Sequence, residues 1–187
     1  YGGYFIIDGK EKVIISQEKF ANNMLYIRDE VDDKYSHSAE IKTVSEDSSK
    51  PSRTLAVKIV SPSPTYSNNQ IVVSIPNVRK PVPLFIVMRA LGIESDKKII
   101  EYCLHDINKE HNMVDLFIPS IHDAGVIFTQ REALNFMKEL VKGKTVFHVQ
   151  DILMNYFMPQ IGELNYNQKA LYLGYIVKKL IMVKIGI

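Results

Sequence analysis

Residues 4–18 constrain the fold of this chain more than any other stretch. They read Tyr4-Phe5-Ile6-Ile7-Asp8-Gly9-Lys10-Glu11-Lys12-Val13-Ile14-Ile15-Ser16-Gln17-Glu18, two apolar runs around a polar turn. Glycine reaches positive φ without steric cost, and Asp-Gly between apolar runs is the strongest short-range signal for a β-hairpin. The runs, residues 4–7 and 13–15, are continuous rather than alternating, which predicts strands covered on both faces. A lone two-stranded hairpin is marginal in water, so this one needs a partner sheet.

The next seventy residues continue in strand texture. Met24-Leu25-Tyr26-Ile27 predicts a strand leaving the Asn22-Asn23 turn, followed by an acidic turn. Residues 37–44 predict a strand with Ala39, Ile41 and Thr43 on one side. Thr54, Ala56 and Lys58 alternate with Leu55, Val57 and Ile59, the pattern of a half-buried strand. Between these lie a loop at residues 45–52 and a second at 61–69, whose Pro62 and Pro64 no central strand accepts. Residues 70–75 complete the antiparallel set.

At Pro81-Val82-Pro83 the period changes. Leu84, Val87, Met88 and Leu91 fall at helical spacing and Gly92 ends the element. A second helix runs from Ser95-Asp96 to Leu104, and a short third one holds Met113, Leu116 and Phe117 and stops at Pro119. Thr129 and Glu132 form a capping box. The helix behind it has Ala133, Leu134, Met137, Leu140 and Val141 on one face and ends at Gly143. Residues 149–157 predict another helix, broken around Pro159. Asn165 or Asn167 caps a last long helix reaching Lys184. Strands first and helices second predict an α+β fold: antiparallel strands in the first half, helices in the second.

The 187 residues are 46% hydrophobic and carry a net charge of +2. Size and composition allow one or two domains with a real core, and the balance gives no global pull toward nucleic acid or membrane. Charge is uneven: residues 28–50 hold seven acids against four bases, and residues 138–187 hold seven lysines against three acids. Cys103, the only cysteine, sits in an apolar run and reads as a small core residue, in keeping with a reducing compartment. The sequence shows no signal peptide. The most apolar stretch, residues 170–187, contains Lys178, Lys179 and Lys184, too much charge for a membrane span.

There is no P-loop, His-Glu-x-x-His, Cys-x-x-Cys or nucleophile elbow. The pairs His105-Asp106 and His122-Asp123, with His111 between them, are the candidate divalent-metal ligands of a stand-alone metal-dependent phosphohydrolase. Their spacing does not match a ligand helix, and Pro119 interrupts any helix joining His111 to His122. At helix ends the same pairs act as a capping Asp and a C-terminal His. The carboxylates Asp29, Glu30, Asp32 and Asp33 lack the spacing of a calcium loop and read as a solvated turn. Candidate nucleic-acid contacts are Lys10, Lys12 and Gln17 on the hairpin, Arg79-Lys80, and the lysines of the last helix; each is also readable as a solvated face. From residues and spacing alone the chain is a soluble, intracellular binding or scaffold module, which leaves a protein-interaction module open as a function.

The hairpin run Gly2-Gly3-Tyr4-Phe5-Ile6-Ile7-Asp8-Gly9-Lys10-Glu11-Lys12-Val13 with Gln17 resembles a hairpin of the second-largest subunit of multisubunit DNA-directed RNA polymerases. So do Ser52-Arg53-Thr54-Leu55-Ala56-Val57-Lys58, Pro81-Val82-Pro83-Leu84-Phe85-Ile86-Val87-Met88-Arg89-Ala90-Leu91-Gly92, Asp151-Ile152-Leu153 with Pro159, and Lys169-Ala170-Leu171-Tyr172-Leu173-Gly174-Tyr175 with Lys179-Leu180. Asp8 departs from the family's Asn or Lys but serves a turn equally well. The resemblance covers nearly the whole chain in order. It implies residues 1–23 in the protrusion domain, 24–148 as the lobe domain and 149–187 as helices returning to the protrusion.

It also implies a non-catalytic wall of the DNA cleft in an enzyme that is a nucleotidyltransferase. The catalytic magnesium would sit on the largest subunit, with no cofactor here. Lys12 and Gln17 would be the nucleic-acid contacts. Partners would be the other polymerase subunits, the DNA template and RNA–DNA hybrid, and transcription factors on the lobe surface. The setting would be the nucleus, or the virion or cytoplasmic factory of a large DNA virus; abundant Ile, Lys and Asn lean toward an AT-rich viral genome. Since Tyr1 falls inside the hairpin's domain, the hairpin's partner sheet is expected outside these 187 residues.

Overall fold

A computed structural model describes residues 3–29, 32–47, 49–64, 68–107 and 110–187. Expectations that touch Tyr1, Gly2, Glu30, Val31, Ser48 and residues 65–67 lie outside the described residues.

Strands β1 (Tyr4–Ile7) and β2 (Lys10–Val13) form a separate two-stranded sheet. The strands β3 (Leu25–Asp29), β4 (Tyr35–Thr43), β5 (Arg53–Val60), β6 (Ile71–Ser74) and β7 (Val82–Pro83) form an antiparallel sheet in chain order. The helices follow: α1 (Leu84–Ala90), α2 (Asp96–Leu104), α3 (His111–Val114), α4 (Ile118–Ala124), α5 (Gln130–Lys138), α6 (Val146–Asn155) and α7 (Tyr166–Lys184). The fold is α+β, with strands in the first half and helices in the second.

Register explains why one face of the larger sheet is buried. Ile41 pairs with Leu55, Ala39 with Val57, Val57 with Val73 and Val73 with Val82. Directly paired residues point to the same side, so these side chains form one apolar surface, all of it buried. Helix α7 packs on β3, β4, β5 and α2, and α1 packs on β6 and β7. The opposite face carries Glu40, Lys42, Thr54 and Lys58, as the alternation in β5 predicts.

Several boundaries differ from the sequence reading. Asp8 and Gly9 both take positive φ, 51° and 72°, so the turn closes in two residues and β2 begins at Lys10 rather than Val13. Pro119 does not stop a helix. It occupies the first turn of α4, where its missing N–H costs nothing. Helix α5 ends at Lys138, short of Gly143, and α6 starts at Val146, where Thr145 accepts from the His148 N–H at 3.2 Å. Asn165 stands at the N-terminus of α7, but its side chain donates to the Ile161 carbonyl at 2.8 Å instead of capping. The Thr129–Glu132 capping box is present with both arms made.

Two charged side chains lie inside the core. The Arg89 guanidinium donates to the Glu94 carbonyl at 3.2 Å, to the Ile127 carbonyl and to Asp96, between the rings of Phe85 and Phe128. One planar fork thereby ties α1 to the start of α2 and to the segment entering α5. The fully buried Lys169 ammonium donates to the Leu153 and Met154 carbonyls at 2.7 and 3.0 Å. Those are last-turn acceptors of α6, which have no partner within their own helix. Burial pushes Lys169 down to about 8, with Glu163 partly opposing the shift.

Candidate nucleic-acid interface

The hairpin holds the residues that the sequence nominates for nucleic acid. Phe5 pairs with Lys12 and Ile7 with Lys10, so both lysines stand on one face beside two apolar side chains. Tyr4 faces Val13 and Ile6 faces Glu11 on the other side. The pleat thus separates two cations from the carboxylate between them. Paired ammonium groups two residues apart on a strand form a short cationic row of the kind that meets a phosphate backbone.

Lys12 is exposed on β2. Gln17 lies past the end of that strand, exposed, and takes part in no hydrogen bond with a described residue. The two do not share an element, so the structure does not build them into one preformed pocket.

Every residue from Gly3 to Met24 is exposed, including Ile6 at 71% and Ile15 at 82%. The expectation that both hairpin faces are covered is not met within the described residues, because the five-stranded sheet neither pairs with the hairpin nor forms its opposing layer. The apolar character of the strands and their exposure together mark this element as a surface built to be covered.

The lysines of α7 drop out as a nucleic-acid face. Lys169 is buried. Lys178 binds Glu110 at 2.5 Å and Lys184 donates to Asn69. Lys179 lies over the Tyr175 ring at 5.7 Å and is half-buried. Their helical phase carried the signal: Lys169 falls in register with Leu173, Ile176 and Leu180 on the apolar stripe. Arg79 and Lys80 are exposed as expected.

The histidine–aspartate pairs are not assembled into a metal centre. His105 ends α2 at φ 63°, whereas His122 lies inside α4. Asp123 accepts from the Gln70 amide at 3.4 Å, and burial raises its carboxyl above the usual range. Among the described residues no group of three or more His, Cys, Asp or Glu could hold a metal ion, so the phosphohydrolase reading has no site to stand on. Cys103 is fully buried and burial drives its thiol upward, away from reactivity. No helix among the described residues is long and apolar enough to cross a membrane.

Comparison with known proteins adds a family. The family described as RNA polymerase Rpb2, domain 2, matches residues 21–187. The chain is 37% identical over 194 residues to the DNA-directed RNA polymerase II subunit RPB2 of Encephalitozoon cuniculi, covering 99% of this chain and 16% of that protein. It is 34% identical over 197 residues to DNA-directed RNA polymerase II subunit 2 of Arabidopsis thaliana, covering 99% and 16%. An archaeal relative, the DNA-directed RNA polymerase subunit Rpo2 of Saccharolobus solfataricus, is 28% identical over 193 residues, with 99% and 16% covered. The chain thus spans 16% of the length of each of these relatives.

Proposed function

Because the chain belongs to the RNA polymerase Rpb2 domain 2 family, we propose that it forms a non-catalytic wall of the DNA cleft in the second-largest subunit of a DNA-directed RNA polymerase. The observation that carries this reading is where the family match begins. It starts at residue 21, just ahead of β3 (Leu25–Asp29), the first strand of the five-stranded sheet, and runs through α7. Residues 24–148 are the lobe domain on this reading. Residues 1–23, the exposed hairpin, and 149–187 belong with the protrusion domain.

Nucleotide transfer needs magnesium, which on this reading sits on the largest subunit. What this chain contributes is position and charge. Lys12, with Lys10 beside it, neutralises backbone phosphates of the template or the RNA–DNA hybrid, and Gln17 donates its amide to the same backbone. Other polymerase subunits are the immediate partners, and transcription factors meet the outer lobe surface. The eukaryotic RNA polymerase II relatives favour a nuclear setting, and the viral factory is the second setting of the same machine.

The test is DNA binding by the 187-residue chain across a salt series. Sequence-blind, weak binding that falls steeply with salt, and a shallower salt slope for Lys12→Gln, are expected. Tight binding that ignores salt would refute this contact mode.

A further inference from the structure

The outer face of the sheet carries a groove of about 860 Å³ whose lining includes Lys34, Tyr35, Arg79, Lys80 and Asp123. We propose that this groove is a docking site for an acidic peptide segment that alternates carboxylates with apolar side chains, supplied by a partner protein. The proposal stands on the groove alone and does not depend on the polymerase assignment.

Charge makes the first argument. Lys34 and Lys58 both stand over the Tyr35 ring, at 5.3 and 4.9 Å from its centre. Arg79 and Lys80 line the same groove. None of these four cations forms an ion pair with a described residue. The lining sets Lys34, Arg79 and Lys80 against Asp33 and Asp123, with Lys58 beside it over the same ring, and this excess of unpaired positive charge raises the local potential and attracts an anionic partner.

Shape and polarity select the class of anion. The floor is Val60, Val72 and Pro81, which accepts apolar side chains rather than a hydrated phosphate chain. Asp33 and Asp123 interrupt the cationic lining, an arrangement that repels a continuous polyanion but leaves room for spaced carboxylates. A volume of this size lies within the about 300–1,000 Å³ of binding pockets, and recognition of acidic motifs by basic clusters is a recurring mode.

Backbone anchoring gives preorganisation. The Arg79 N–H donates to the Leu140 carbonyl at 3.0 Å, and Val78 bridges to Val141. The segment presenting Arg79 and Lys80 is therefore pinned to the end of the α5 region. Tyr35 is pinned by Asp32, whose carboxylate accepts the Lys34 and Tyr35 N–H groups, both at 2.8 Å.

The experiment is fluorescence anisotropy of the 187-residue chain with a labelled short peptide alternating aspartate and leucine. Its asparagine–leucine counterpart and a labelled single-stranded oligodeoxynucleotide run alongside. Arg79→Glu combined with Lys80→Glu, and separately Lys34→Glu, are expected to weaken the aspartate peptide by about tenfold or more. Lys97→Glu, on α2, leaves it unchanged. The asparagine peptide is expected to bind at least about tenfold more weakly than the aspartate one. Equal affinity of the charge-reversed and parent chains overturns the proposal. So does equal affinity for the two peptides, or an oligonucleotide that binds more tightly than the aspartate peptide. Unchanged thermal melting of the charge-reversed chains shows that any loss is local.

Discussion

Replacing Gly174 by alanine tests the packing of the core at its tightest point. A Cβ placed on Gly174 would lie 2.3 Å from the Tyr102 carbonyl oxygen, 2.7 Å from its carbonyl carbon and 3.1 Å from the Cys103 nitrogen. All three are backbone atoms of α2, so no side chain can swing away. Restoring ordinary contact requires α7 to retreat from α2 by about 1 Å, a gap that forfeits a quarter to a half of each contact's dispersion energy. The same helix buries Ala170, Leu173, Ile176, Val177, Leu180 and Ile181, so the retreat loosens the centre of the molecule. In an exposed helix, alanine in place of glycine would gain about 1 kcal/mol. Here overpacking costs about 1–3 kcal/mol or more, and a backbone clash belongs at or above the top of that range. The expected net loss is about 2 kcal/mol, or about 4–8 °C in Tm for a chain of this size. Urea unfolding followed by circular dichroism reads it, and Gly174→Ser, which adds the same Cβ, should behave alike. A Gly174→Ala chain as stable as the parent, or more so, would refute the close approach of α2 and α7.

Three further outcomes follow from the buried charges and the cap. Arg89→Ala leaves the Glu94 and Ile127 carbonyls unpaired and should cost about 3 kcal/mol or more, read as a lowered urea midpoint; Arg89→Lys should recover only part of it, since an ammonium cannot match the planar fork. Lys169 titrates near 8 when folded against 10.5 as its ordinary value, so between those values the unfolded chain holds more protons and this group makes stability rise with pH, by up to about 3 kcal/mol. Below pH 8 its contribution is flat. A pH series of unfolding free energies should lose that rise in Lys169→Met, and an unchanged slope would contradict the buried ammonium. Thr129→Ala should cost about 1 kcal/mol through the lost cap. It also removes one of the hydrogen bonds that hold the Glu132 carboxyl below its usual range, which a carboxyl titration by NMR would show as an upward shift.

Local rules were readable wherever the deciding partner lies close in the chain. The capping box at Thr129 and Glu132 closes within three residues, and the alternation of Leu55, Val57 and Ile59 reports burial on one sheet face directly. Gly92 past the end of α1 has φ 101°, a value that glycine accepts readily. What the sequence hid depends on distant acceptors. One of the three acceptors that satisfy Arg89 in the core, the Ile127 carbonyl, lies 38 residues away, and Lys169 is satisfied by carbonyls at the end of α6. Lys169 reads with the other lysines of the last helix as a solvated face, although its helical phase puts it on the buried one. The need for space at Gly174 arises from a helix some seventy residues earlier. On the hairpin, the turn and the cationic residues were legible. The segregation of Lys10 and Lys12 from Glu11 became clear only with the register, which the two-residue turn sets. The groove beside Tyr35 gathers Lys34, Arg79 and Lys80 from separate segments, a convergence that no linear motif announces.

The place proposed for this chain is the wall of the nucleic-acid cleft of an RNA polymerase. Its most direct test places a photo-crosslinking residue at Lys12, and in a second protein at Lys138 on α5, in the full-length subunit assembled into a transcribing complex. Crosslinks from position 12 to template or RNA are expected, and none from position 138. A position-12 probe that labels only protein, in a complex that is actively extending RNA, would contradict it.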